Sequence, residues 1–320
     1  MDISFRRGSI VEVKSAEEII SSLDEEGKLD SLPFMPEMAK YCGKRFTIDK
    51  RVEKFCDTIN SYRSRRMQNT FMLEDLRCDG SAHDGCQAEC RIFWKESWLR
   101  LTKEDELSSP GHVKDTGEKE LETLTSKHIK KTTRVEEKLV DIYRCQATEL
   151  YNASTRLSRW DPRPYAREFT NGNVTFWDFL RVSVRAFIEE PLDKLHILPR
   201  VWLRGTRTTP APDEPVNLEP GEWVQVKTKE EIAALLTLDG RGRGLWFDRE
   251  MLPFCGGIYQ VRNRVKRFIH DHDGRMIEFK KECIILEGVV CSGELSLHRY
   301  FCPRAIYPFW RESWLRRITK

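Results

Sequence analysis

The stretch GSIVEVKSAEEI, Gly8 to Ile19, returns 213 residues later as GEWVQVKTKEEI, Gly221 to Ile232. The same offset places Phe34, Glu37 and Met38 on Phe247, Glu250 and Met251, and Cys42-Gly43 on Cys255-Gly256. It also places Leu73-Glu74 on Leu286-Glu287 and Cys78 on Cys291. The second copy then gains three residues, so that Cys86 lies on Cys302 and FWKESWLR (Phe93 to Arg100) on FWRESWLR (Phe309 to Arg316). Two copies of this length are a duplicated domain rather than a solenoid.

Each copy reads as mainly β. Ile10 to Val13 alternates after a glycine, as a strand leaving a turn does. Ala16 to Leu23 suits a short helix capped by Ser15. Arg45–Asp49 and Phe71–Leu76 suit short strands. Their counterparts Ile258–Val261 and Cys283–Val290 are richer in β-branched residues. Several short strands with turn signals, opening on G-x-x-V-x-V, predict a small SH3-like barrel. In FWKESWLR, Phe93, Trp94, Trp98 and Leu99 share a helical face, with Lys95 and Glu96 outward. That face either plugs the barrel or forms an aromatic binding surface.

The fold expected is mainly β with some α: two duplicated SH3-like barrels, residues 1–103 and 220–320, flanking a middle of residues 104–219 that has no copy. Within the middle, Lys114 to Lys138 is charged and reads as flexible or solvated. Leu139, Tyr143, Ala147 and Leu150 have helical spacing. Thr175 to Asp178 resembles a helix start, and Pro191 is expected to end that helix. The proline-rich stretch Thr208 to Pro220 reads as a linker.

Among the 320 residues, 54 basic and 51 acidic side chains leave a net charge of +3. This lacks the strongly basic footprint of a nucleic-acid binder. No apolar run approaches the ~20 residues that span a bilayer, and the first residues show no secretory signal. A cytoplasmic location, without membrane attachment, is the expectation.

There the ten cysteines stay reduced, free to pack or to bind metal. Cys78, His83, Cys86 and Cys90 follow a strand with spacing C-x4-H-x2-C-x3-C, and two glycines let the backbone fold around a centre. Thiolate and imidazole suit zinc. Cys42 could complete a four-thiolate site with His83 outside it, or His83 could replace one thiolate. Iron, or an iron–sulfur cluster on four thiolates, is the alternative. The second copy keeps Cys255, Cys291 and Cys302, and His298 could stand in for the position where Ile306 replaces Cys90. Its turn is more apolar, which suits a degenerate site.

Other constellations are weaker. Cys145 could be a nucleophile if His128 or His196 stood near it, or simply a packed thiol. Trp160 to Tyr165, with Arg163, reads as an ordered loop or a pocket wall. The strips Tyr62–Arg66 and Val261–Arg267 interleave basic and apolar residues, as single-strand binders do, or form a solvated rim. His270-Asp-His272-Asp273-Gly274 reads as a hairpin turn rather than a metal cluster.

The blocks LPFMPEMAKYCG (Leu32 to Gly43) and RCDGSAHDGCQAECRIFWKESWL (Arg77 to Leu99) resemble the repeated signature of an uncharacterised bacterial protein family. That family also carries YRCQATEL and NGNV in the middle. The resemblance implies a bacterial, cytoplasmic setting and no particular activity; the second copy departs from it at Ile306. The leading expectation is a metal-binding module for an unknown protein or small-molecule partner. A metal- or thiol-dependent enzyme, with a pocket between the first barrel and the middle helices, is the runner-up. A nucleic-acid-binding tandem barrel comes third.

Overall fold

The computed structural model describes residues 5–60, 63–102, 116–135, 137–158, 161–212 and 216–318. Tyr62 and Trp160, and the start of the charged stretch at Lys114, lie outside them. In the first copy, β1 (Ile10–Val13) turns Val11 and Val13 fully inward. Helix α1 (Ala16–Ile20) follows through a capping box: Ser15 Oγ accepts from Glu18 N at 3.3 Å, and Ser15 N donates back to the Glu18 carboxylate at 3.2 Å. A long hairpin of β2 (Arg45–Cys56) and β3 (Ser64–Leu73) comes next, and β4 (Leu99–Leu101) ends the copy.

From the middle segment come α2 (Thr116–Ser126), the hairpin β5 (Lys130–Val135) and β6 (Lys138–Tyr143), α3 (Gln146–Glu149), β7 (Thr155–Arg156), α4 (Arg163–Thr170) and α5 (Phe176–Lys194). The second copy consists of β8 (Trp223–Val226), α6 (Lys229–Ala233), β9 (Ile258–Ile269), β10 (Met276–Leu286) and β11 (Leu315–Arg317). The whole is a mixed fold in which strands predominate.

Both copies have the same antiparallel strand order, β3-β2-β1-β4 and β10-β9-β8-β11. The registers agree as well. Val11 pairs with Phe46 and Leu101, and Val224 with Tyr259 and Arg317. Each hairpin has two irregularities at matching places, Ile48/Lys50 and Val52/Lys54 against Val261/Asn263 and Val265/Arg267. Bulges bend a hairpin and increase its twist. Among the described residues, however, neither sheet closes into a barrel; both are open, and β7 extends the first at β3.

Three expectations need correcting. FWKESWLR does not form one helical face. Trp94-Lys95 pairs with β3, a 3-10 turn spans Glu96–Trp98, and β4 follows. Successive residues on paired strand backbone face opposite ways. Lys95 is therefore buried, with Nζ 3.0 Å from Asp30 Oδ2, while Trp94 and Trp98 both meet Phe34 edge-on. The charged stretch is largely solvent-exposed where described, as expected of a solvated face, although α2 buries Leu121 completely. The helical spacing from Leu139 belongs to a strand and a short helix, and Leu139 is exposed. Pro191 does not stop α5, which continues to Lys194. The amide it lacks would bond near Phe187, which is 82% exposed, so solvent can serve that carbonyl.

An approximate two-fold exchange joins the copies. Cys56 N, at the end of β2, donates to Cys302 Sγ of the second copy at 3.2 Å. Ile269 N, at the matching end of β9, donates to Cys86 Sγ of the first at 3.3 Å. Buried Lys54 also reaches across, donating to the carbonyls of Tyr300 and Phe301.

Candidate metal centre

The 3-10 segment Pro36–Tyr41 starts at a proline and buries its first four residues, Glu37 among them at 7% exposure. Opposite it, Cys78 N donates to Cys90 O at 2.8 Å and closes the base of a loop. Within the loop, the amides of His83 and Gly85 both donate to Gly80 O. Gly80 has φ +70°, and a Cβ there would lie 1.9 Å from Cys86 O, so only glycine allows the loop to close this tightly.

The loop sets Cys78 and His83 against Glu37, with one ligand atom from each within 4.8 Å of the others. The Cys78 thiol donates to Glu37 Oε1 at 3.0 Å. His83 is 1% exposed, and its Nε2 lies 3.3 Å from Arg144 O. A carbonyl only accepts, so Nε2 carries the proton. Nδ1 then faces Glu37 Oε1 at 3.4 Å without a hydrogen bond, and Glu37 Oε2 also has none. Carboxylate, sulfur and imidazole nitrogen thus converge with unmet acceptor capacity, as ligands around a cation do. A ring N–H held by a backbone carbonyl is the usual way a ligating histidine is oriented.

Beside this triad lies a cavity of about 30 Å³, lined by Cys78, His83, Cys86, Cys90 and Cys145. Arg304 and Ile306 of the second copy contribute to its wall. Burial pushes the Cys78 thiol far up, and the Glu37 carboxylate adds to the effect. Burial, then Asp271, pushes Cys90 up to about 12. Cys86 and Cys145 are also raised by burial, against opposing backbone N–H donors. Burial works to raise Glu37 too; a proton on His83 Nδ1, with the Cys78 thiol, would hold the carboxyl below its ordinary value in the metal-free protein, and a cation would take that proton's place. Without a cation these sulfurs keep their protons; a metal displaces them.

Of the residues the spacing singled out, Cys78, His83, Cys86 and Cys90 surround one cavity. Cys42 lies in the first-copy core instead and does not line it. Its expected place at the centre is held by Glu37, five residues earlier. The signal for Glu37 was an acidic residue, matched in both copies, inside the apolar run LPFMPEMA. Cys145 was also missed as a member of this group. It reaches the cavity because Gln146 is stitched to the first copy, accepting from Phe93 N at 2.8 Å and donating to Pro33 O at 3.1 Å.

The second copy uses the same scaffold differently. Ser296 stands at His83's position, and Glu250 accepts from the Ser292 amide and hydroxyl, Leu295 N and Ser296 Oγ at 2.8–3.0 Å. That carboxylate is fully occupied. His298 turns away to α5, with Nε2 3.0 Å from Asp193 Oδ2. Cys255 lies 4.0 Å from Met251 O, burial raises the Cys291 thiol, and Cys302 accepts from Cys56 N. Among the described residues these four do not gather into a ligand set.

The other candidates resolve into structural roles. Asp273-Gly274 closes the β9–β10 hairpin, with Gly274 N donating to His270 O. The arginines of Val261–Arg267 each meet carboxylates: Arg262 meets Glu89 and Glu287, Arg264 meets Glu282 and Glu312, and Arg267 meets Glu278. Arg65 is held by Ser154 and Arg66 faces Asp161. Arg163 pairs with Asp161. Among the described residues, no helix is long and apolar enough to cross a membrane. No family model matches the chain, and neither a curated protein nor a solved structure matches it.

Proposed function

We propose that the chain is a cytoplasmic metal-binding module, taking zinc or iron at a centre built on Glu37, Cys78 and His83, with each copy a small SH3-like unit. The observation that carries this reading is the pair of buried acceptors, His83 Nδ1 and Glu37 Oε2, left without hydrogen bonds beside a thiol. Support for the SH3-like reading comes from the last strand of each copy, which follows a 3-10 turn and pairs with the first. A binding role fits better than catalysis because the adjoining cavity, about 30 Å³, has room for about two waters. An organic substrate needs a pocket roughly ten times larger. Carboxylate pairing along Val261–Arg267 likewise argues against nucleic acid.

The test is elemental analysis of anaerobically purified protein. Wild-type chain should carry zinc or iron stoichiometrically, and His83→Ala with Glu37→Gln should lose most of it. Metal-free wild-type protein that also fails to bind added zinc or iron would sink the reading.

A further inference from the structure

We infer that the cavity houses an iron–sulfur cluster ligated by Cys78, Cys86, Cys90 and Cys145; the inference rests on the metal-centre reading, shares Cys78 with it, and sets Glu37 and His83 beside Cys78 to hold that ligand rather than on iron. Four thiols from two segments distant in sequence line the same cavity. Two thiolates on one zinc lie at most ~4.6 Å apart, twice the ~2.3 Å bond. Among the described residues, the one set of three ligand atoms within 4.8 Å is Glu37–Cys78–His83. No three of the four thiols meet that limit. In the rotamers they hold, they surround the cavity rather than converge on a point.

A cluster brings its own irons and bridging sulfides, so it takes four thiolates at wider separation. Its outer irons bond directly to the cysteine sulfurs, well inside van der Waals distance. The free space needed is therefore less than the cluster's bulk.

The surroundings of the sulfurs agree. Cys86 Sγ accepts from Ile269 N at 3.3 Å. Backbone N–H donors aimed at sulfur stabilise thiolates and tune clusters. The second copy is an internal control. Ile306 replaces Cys90, and Cys145 belongs to the unduplicated middle, so that copy lacks counterparts of two of the four ligands. One cluster per chain is expected.

The experiment measures iron, acid-labile sulfide and zinc in anaerobically purified wild-type chain, before and after reconstitution with ferrous iron and sulfide. Iron and sulfide in equal amounts, with visible absorption, are expected. Cys145→Ala should lower both at least tenfold, while Cys42→Ala retains them. Zinc without labile sulfide, unchanged in Cys145→Ala, would overturn the cluster and leave the metal centre standing. Absence of every metal after reconstitution would overturn both. The wild-type sulfide content decides even if a variant fails to fold.

Discussion

Glu37 and Glu250 occupy the same position in the two copies, yet they answer to different partners. Four hydrogen bonds from its own loop satisfy Glu250, whereas Glu37 meets a thiol and an imidazole nitrogen. Glu250→Ala should therefore cost about 3 kcal/mol or more, since hydrogen bonds to charged groups contribute roughly 1.5–3 kcal/mol each. The cost should be the same with or without chelator. Glu37→Gln should destabilise the metal-loaded protein and matter much less once a chelator is present. Denaturant midpoints of both variants under both conditions check this; equal behaviour would refute the division of roles. His298 offers a separate test. The Glu190 carboxylate raises its pKa, burial opposes, and Asp193 adds to the rise, with Arg63 nearby working against it. A raised folded-state pKa means that the stabilisation is complete below the unfolded value of about 6.5 and fades as pH climbs through the folded value. Urea midpoints from about pH 6 to about 9 should fall more steeply for the wild type than for His298→Ala. Cys78, His83, Cys86 and Cys90 were legible from spacing alone, because one short loop holds them. Glu37 and Cys145 were not, because nothing local says which distant segment folds against that loop.

Helix α5 shows what packing does and does not explain at the scale of an element. Thr175 caps it, accepting from Asp178 N at 3.2 Å, and this start was readable from the sequence. Its two faces differ sharply: Val182 is fully buried against Tyr300 and Phe301, while Trp177 and Phe187 are 74% and 82% exposed. Val182→Ala should cost about 2 kcal/mol, from two lost methyl groups and the space they leave. Phe187→Ala should stay within about 0.5 kcal/mol. Thermal unfolding of the pair is the measurement, and a large loss from Phe187→Ala would mean the helix packs differently. The hairpin β2–β3 was legible only in its first half. Beyond Asp49 the residues Lys50-Arg-Val-Glu-Lys are charged, and strand pattern gives way to what looks like surface. They continue as strand because the second copy and α4 take up those charges: Lys54 reaches Tyr300 O and Phe301 O, and Glu53 receives Arg167 at 2.9 Å.

At the scale of the whole molecule, the duplication was readable from the 213-residue offset, and the matching strand order and registers express it. What the offset could not convey is that the copies exchange backbone donors across their approximate two-fold. The Ile269 amide ends on Cys86 Sγ, a ligand candidate in the other copy, while its symmetry mate Cys56 ends on Cys302. This makes one peptide N–H in the second copy a remote reporter of events in the first. Proton–deuteron exchange there requires the Cys86 loop to let go. Loading the centre should slow exchange at Ile269 severalfold and leave Cys56 unchanged, readable by mass spectrometry or NMR of loaded and stripped protein. Equal rates in the two states would mean that the copies share a border without sharing information.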